Sequence, residues 1–231
     1  MPELWQPGCF MLTEHKPKIH LAQNASGAHF AALKGHLVVI VDVIDFSTSL
    51  ETAIEKGALA VFGASPDNAR VPVAVKPESV AVAAAKCALE HNAGIVLISE
   101  PRQGEKSELI DSCLRLYNTL KSLGVTVDEV IPNVGKGVSG LADFMGKVVV
   151  GVTKSGGTAF DAAFSAGAKV ISATIARTAD KKAIEPALAG CLRALKLAKK
   201  NKKDISFVAA SSNSLVDILA CQYLYNLIRT L

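Results

Sequence analysis

Four continuous apolar runs limit what this chain can fold into: residues 37–43, 94–99, 147–152 and 205–209. A strand that is apolar at successive positions, and not at alternate ones, has no face for solvent. Such strands belong to parallel sheets covered by helices on both sides. Each run leads through a polar turn into a helical pattern. The periodicity predicts helices over 48–57, 77–91, 107–123, 158–166, 180–200 and 214–228. It predicts further strands at 19–21, 58–62, 71–75, 125–131 and 170–174, with the rest of residues 1–35 irregular. This alternation implies right-handed crossovers and an α/β fold, a three-layer α/β/α sandwich with a mostly parallel sheet. The chain reads as one domain over 1–231, or as two similar lobes at about 1–145 and 146–231.

A shift of 110 residues lays Thr48–Ala58 over Thr158–Ala168, matching Thr48 with Thr158, Ala53 with Ala163 and Gly57-Ala58 with Gly167-Ala168. Both segments run strand, polar turn, helix, Gly-Ala, strand. Residues 206–220 repeat the unit more loosely. Either an old duplication or a chance reuse of common residues accounts for the match.

The composition narrows the function. Lys plus Arg exceed Asp plus Glu by 25 − 21 = 4, which suits a small anionic substrate but is weak for nucleic acid. Scarce aromatics argue against base stacking. The lysine run over 196–203 reads as a solvated helix end. Five scattered cysteines, Cys9, Cys87, Cys113, Cys191 and Cys221, lack C-x-x-C spacing and read as reduced thiols. The spacing of His15, His20, His29 and His36 fits no compact metal motif. No signal-peptide pattern and no membrane-length apolar run stand out, so a cytoplasmic location without membrane partners is expected. The apolar content is compatible with a homodimer.

Three polar turns follow strands: D-V-I-D-F-S-T-S from Asp42, T-K-S-G-G-T from Thr153 and A-S-S-N-S from Ala210. Ligands of parallel α/β sheets bind beyond the carboxyl ends of the strands. In the second turn, Gly156 and Gly157 permit a sharp bend, and Lys154, Ser155 and Thr158 surround the start of a helix. That is either an anion cradle or an ordinary capped turn. In the first, Asp42 ends an apolar run and would be costly to bury unpaired. It suits Mg²⁺, which takes oxygen ligands and shares substrate phosphate oxygens. Asp45 is a general acid or base, or a helix cap; Ser47 and Thr48 are candidate substrate contacts. In the third, Ser212 and Asn213 are candidate anion donors and Asp217 a candidate metal ligand, with capping as the alternative. Glu100 follows another strand and is a candidate ligand or base, and Arg102 beside it can grip a phosphate or sulfonate. The Gly-rich turn after Pro132 is placed to close the pocket.

Together these motifs resemble the 2-phosphosulfolactate phosphatase family over about residues 37–228. The run V-V-I-V-D-V-I-D-F-S-T-S resembles the family's opening strand and its Asp-Val-Leu-Arg turn. G-K-V-V-V-G-V-T-K-S-G-G-T-A is similar to its strand ending in T-T-N-G-T-R-A, and S-F-V-A-A-S-S-N-S-L-V-D to its last strand and Ser-x-x-Asp. The resemblance implies a Mg²⁺-dependent hydrolase that converts 2-phosphosulfolactate to sulfolactate and phosphate, a step toward coenzyme M. It places Asp42, Gly157, Thr158 and Asp217 at family motif positions, and less directly Glu100. The chain departs from the family at Asp45, which stands where the family has Arg, so Lys154 or Arg102 is the expected replacement cation. A non-catalytic member that binds a phosphorylated or sulfonated metabolite is the alternative.

Overall fold

The continuous apolar runs become the inner strands. A computed structural model describes residues 15–231. The first sheet contains β1 (Ile19–Gln23), β2 (Leu37–Val41), β7 (Val170–Ser172) and β8 (Ile205–Ala209), in the order β1-β8-β2-β7. The second contains β3 (Ala60–Ala64), β4 (Ile95–Ser99), β5 (Val127–Pro132) and β6 (Val148–Val152), in the order β3-β6-β4-β5. Every pairing is parallel. The central strands β2, β8, β4 and β6 are buried at all five residues, as strands without a solvent face must be.

Each sheet has helices on both faces, so the expected α/β/α layering holds, and the two sheets share their middle layer. That layer holds α1 (Asn24–Leu33), α2 (Phe46–Glu55) and α6 (Gly156–Ser165). Its core joins Val38, Ile40 and Val208 of the first sheet to Val96, Ile98 and Val149 of the second through Phe46, Leu50 and Phe160. Outside the second sheet lie α3 (Pro77–Glu90), α4 (Lys106–Asp111) and α5 (Leu114–Ser122). Outside the first lie α7 (Glu185–Asn201) and α8 (Leu215–Ile228).

The sheets are not successive halves of the chain: the first takes the two earliest and two latest strands, the second the middle four. Yet their topology is the same. Counting β7, β8, β1, β2 as strands one to four, and β3, β4, β5, β6 likewise, makes both orders 1-4-2-3. The fourth strand of each sheet feeds a helix that crosses to the other sheet: β2-α2-β3 and β6-α6-β7. These are the two segments matched by the 110-residue shift. Their local bonding agrees, since Thr48 Oγ1 donates to the Val43 carbonyl at 2.8 Å and Thr158 Oγ1 to the Thr153 carbonyl at 3.1 Å. Gly57 and Gly167, which end the paired helices, both adopt φ of +87°.

Several boundaries differ from expectation. Residues 24–33, read as irregular, form α1; its small residues Ala25, Ala28, Ala31 and Ala32 are buried against α6, with little polar contrast to mark a helix. No strand forms over 71–75. The helix expected over 107–123 breaks between α4 and α5, and the one expected from 180 starts at Glu185. The Gly-rich turn after β5 becomes a 3-10 helix over Gly135–Gly140 packed on α2. The reading of residues 1–14 lies outside the described residues. Among those described, no helix is long and apolar enough to cross a membrane.

Candidate functional site

The residue just past a parallel strand lies at the carboxyl edge of the sheet, where ligands of α/β folds bind, and this chain repeatedly has a polar residue there. Asp42 follows β2, Glu100 follows β4, Asn133 follows β5 and Thr153 follows β6. The strand ends of both sheets meet on one side of the molecule because the loop after β2 touches the loop after β6. Asp42, 3 % exposed, joins them. Its Oδ2 accepts the Ser155 hydroxyl at 2.6 Å and the Gly156 amide at 2.8 Å. Asp217, also buried, reaches from the first turn of α8 to accept the Val43 amide at 2.9 Å. Glu100 lies near the backbone amide and the ammonium of Lys154, both of which favour its ionised form. Arg102 Nη2 pairs with Asp45 Oδ2 at 2.9 Å. Asp42, Asp45, Glu100, Asp217, Arg102, Lys154 and Ser155 are thus brought into one region. Lys154, Arg102, Glu100, Pro66, Asn68 and Ser112 border an open cleft of about 320 Å³. Larger clefts lie away from these turns.

All four carboxyls titrate above their ordinary range. Burial is the main cause at each. For Asp42 it pushes the pKa up to about 7; the Ser155 bond opposes it, the Asp217 charge adds to it, the Gly156 bond opposes, and the Glu100 charge adds again. Burial raises Asp45 against the pull of Arg102, and raises Asp217 against the amide of Val43. Glu100 is raised by burial, partly offset by the amide and the charge of Lys154, with Asp45 adding to the rise. Crowded, poorly solvated carboxylates of this kind hold protons near neutrality or gather a cation.

Other candidate residues sit nearby in different roles. Ser47 donates to the Ile40 carbonyl and accepts the Asp42 amide, both at 3.0 Å. Thr48 bonds Val43 and the Thr174 hydroxyl. Both are buried, so they brace the turn after β2. Gly156, Gly157 and Thr158 place their amides on Asp42 Oδ2, Thr153 Oγ1 and the Thr153 carbonyl. The start of α6 is therefore satisfied by protein groups, with the Asp42 carboxylate in the place an anion would take. The two glycines are needed for close approach: a Cβ on Gly157 would lie 2.2 Å from the Ala64 carbonyl oxygen, and one on Gly156 2.4 Å from the Phe46 ring. The Asp45 side chain makes no cap bond to α2, and Ser155 none to α6. Ser212 and Asn213 are exposed on the loop before α8, whose cap is Ser214.

Sequence reasoning quoted the turns that hold Thr153 and Asn133 without singling those residues out, and passed over Asp161. Asn133 accepts the Ser49 hydroxyl at 2.7 Å. The fully buried Asp161 accepts Ser65, Lys76 and Ser165, fastening the loop after β3 to α6. The position directly after a strand would have marked Thr153 and Asn133.

The carboxylate oxygens here are of the donor type that Mg²⁺ takes. That ion is held through one or two carboxylates and keeps several waters. Asp42 offers Oδ1, since both of its bonds fall on Oδ2, and Glu100 and Asp217 stand within electrostatic range. Asp42, Glu100 and Asp217 do not form a tight cage, for no three of their ligand atoms lie within 4.8 Å of one another. The chain matches no protein-family model and no curated protein.

Proposed function

We propose that the chain is a Mg²⁺-dependent phosphoric monoester hydrolase acting on 2-phosphosulfolactate or a related phosphorylated hydroxy acid. The observation that carries this reading is the buried Asp42 carboxyl at the end of β2, held between Ser155 and Gly156 and flanked by the charges of Asp217 and Glu100. Asp42 would hold the ion together with Asp217, and Mg²⁺ bound there would polarise the phosphoryl oxygens, leaving Glu100 free as the base. Arg102 supplies the cation that the resemblance leads one to expect at Asp45, because its guanidinium lies on the Asp45 carboxylate. Lys154 lends a second positive charge beside the cleft. Water attacks phosphorus, the P–O ester bond breaks, and the water proton taken by Glu100 passes to the departing hydroxy-acid oxygen. The raised pKa of Glu100 suits a group that takes and returns a proton.

A second reading is favoured by one specific feature. Asp45 stands where the family that the chain resembles has Arg, so Lys154 and Arg102 at the cleft could bind an anion without turning it over.

The test is phosphate release from 2-phosphosulfolactate and a panel of phosphorylated hydroxy acids, with Mg²⁺ and with EDTA. The hydrolase reading expects Mg²⁺-dependent release from at least one substrate, with Asp42→Asn lowering it on the order of 100-fold. Saturable binding of sulfolactate or phosphate with no turnover would establish the second reading instead.

A further inference from the structure

The edge of the first sheet where its strands begin carries a cluster that the chemistry above does not use. His20 lies in β1, His36 immediately precedes β2, and Asp204 immediately precedes β8. Because β8 pairs with both β1 and β2, these residues meet although they are scattered in sequence. We propose that His20, His36 and Asp204 form a binding site for a divalent transition metal of the Zn²⁺ type, with His15 as the fourth ligand.

One ligand atom from each of the three lies within 4.8 Å of the others, the one such group among the described residues. His20 Nε2 is 3.8 Å from Asp204 Oδ2, and His15 Nε2 is 3.8 Å from Asp204 Oδ1. The imidazoles of His20 and His36 stack with centroids 4.6 Å apart. His36, 9 % exposed, has Nδ1 bonded to the Ser206 hydroxyl at 2.8 Å, which orients the ring and leaves Nε2 for a metal. The Lys18 amide steadies Asp204 Oδ1 at 2.9 Å. His15 Nε2 is buried without a hydrogen-bond partner, an arrangement that a metal bond would satisfy.

The donor types decide the class of ion. Imidazole nitrogens with one carboxylate suit Zn²⁺ and its neighbours, whereas Mg²⁺ takes oxygen. Tetrahedral ligands at 2.0–2.1 Å from zinc stand about 3.3 Å apart. Closing the present separations needs small rotations of His20 and Asp204, which are partly exposed. Solvent reaches His15 through a cleft of about 780 Å³ between residues 15–19 and the ends of α7 and α8. A bound ion would clamp the starts of three adjacent strands and brace the edge strand β1.

The test is titration of EDTA-treated, dialysed full-length protein with ZnCl₂ by calorimetry, and with Co²⁺ by visible absorption. The expected result is one Zn²⁺ per chain, a Tm that rises with Zn²⁺ concentration, and a Co²⁺ spectrum typical of four-coordinate nitrogen and oxygen ligation. His20→Ala and Asp204→Asn should each weaken binding at least about tenfold, and Asp42→Asn should leave it unchanged. His20 is exposed, so its replacement does not threaten folding. The proposal is overturned by absence of saturable binding, or by His20→Ala and Asp204→Asn variants that bind within twofold of the parent. It is equally overturned if Asp42→Asn alone removes the ion.

Discussion

Asp42 is the residue where local cost and the proposed function meet. Its folded pKa, about 7, lies well above the ordinary value for an aspartate. A raised carboxyl pKa means that the folded state binds the proton more tightly than the unfolded chain does. The ionised carboxylate therefore destabilises the fold above pH 7, and this penalty fades as the pH falls from about 7 to about 4. Its size is on the order of 4 kcal/mol from the shift alone. Asn keeps an oxygen for Ser155 and Gly156 but carries no charge. Asp42→Asn should therefore raise stability at pH 8 by about 1–3 kcal/mol, with the gain disappearing near pH 4. Urea unfolding at the two pH values measures this, and equal or reduced stability of the variant at pH 8 would contradict it. Gain of stability with loss of hydrolysis is the expected pair for a residue kept for its chemistry.

At the scale of elements, the middle layer is fitted by small residues at close approach. The first turn of α6 passes so near the end of β3 that Gly157 has no room for a side chain: the added Cβ would meet a backbone oxygen, which cannot swing aside. Gly157→Ala should lower stability by about 3 kcal/mol, read as a fall in the urea midpoint at constant m. A shift below 0.5 kcal/mol, on the order expected of an innocuous surface change, would show that α6 can move away from β3. The same crowding explains why α1 escaped recognition in the sequence. A helix of small residues facing α6 shows no contrast between faces, and hydrophobic periodicity has nothing to detect. The break between α4 and α5 was hidden for a related reason. Ser112 bonds Ser99 at the end of β4 and Cys113 is buried, so the apolar pattern continues across the break.

For the whole molecule, the shared layer makes two sheets of identical strand order into one unit. Phe160 is packed edge-on to Phe46 and touches the core of both sheets. Phe160→Ala should cost about 3–5 kcal/mol. Hydrogen exchange at the amides of Val39 and Val149, one in each sheet, should accelerate by the same factor. Acceleration at one of them alone would mean that the sheets unfold separately. By itself the sequence determined the α/β class, the four inner strands and the carboxylates that follow two of them, Asp42 after β2 and Glu100 after β4. Apolar runs and strand-to-helix turns are local features, set by neighbours in the chain. Only the tertiary structure decided which strands share a sheet. It also set Asp42 against the start of α6, 113 residues away, and Asp217 against the Val43 amide, 174 away. It gathered four histidine and aspartate side chains at the opposite edge, where spacing along the chain had suggested no site. Those meetings depend on strand order, which side-chain periodicity does not encode: a buried parallel strand presents the same apolar pattern whichever neighbour it pairs with.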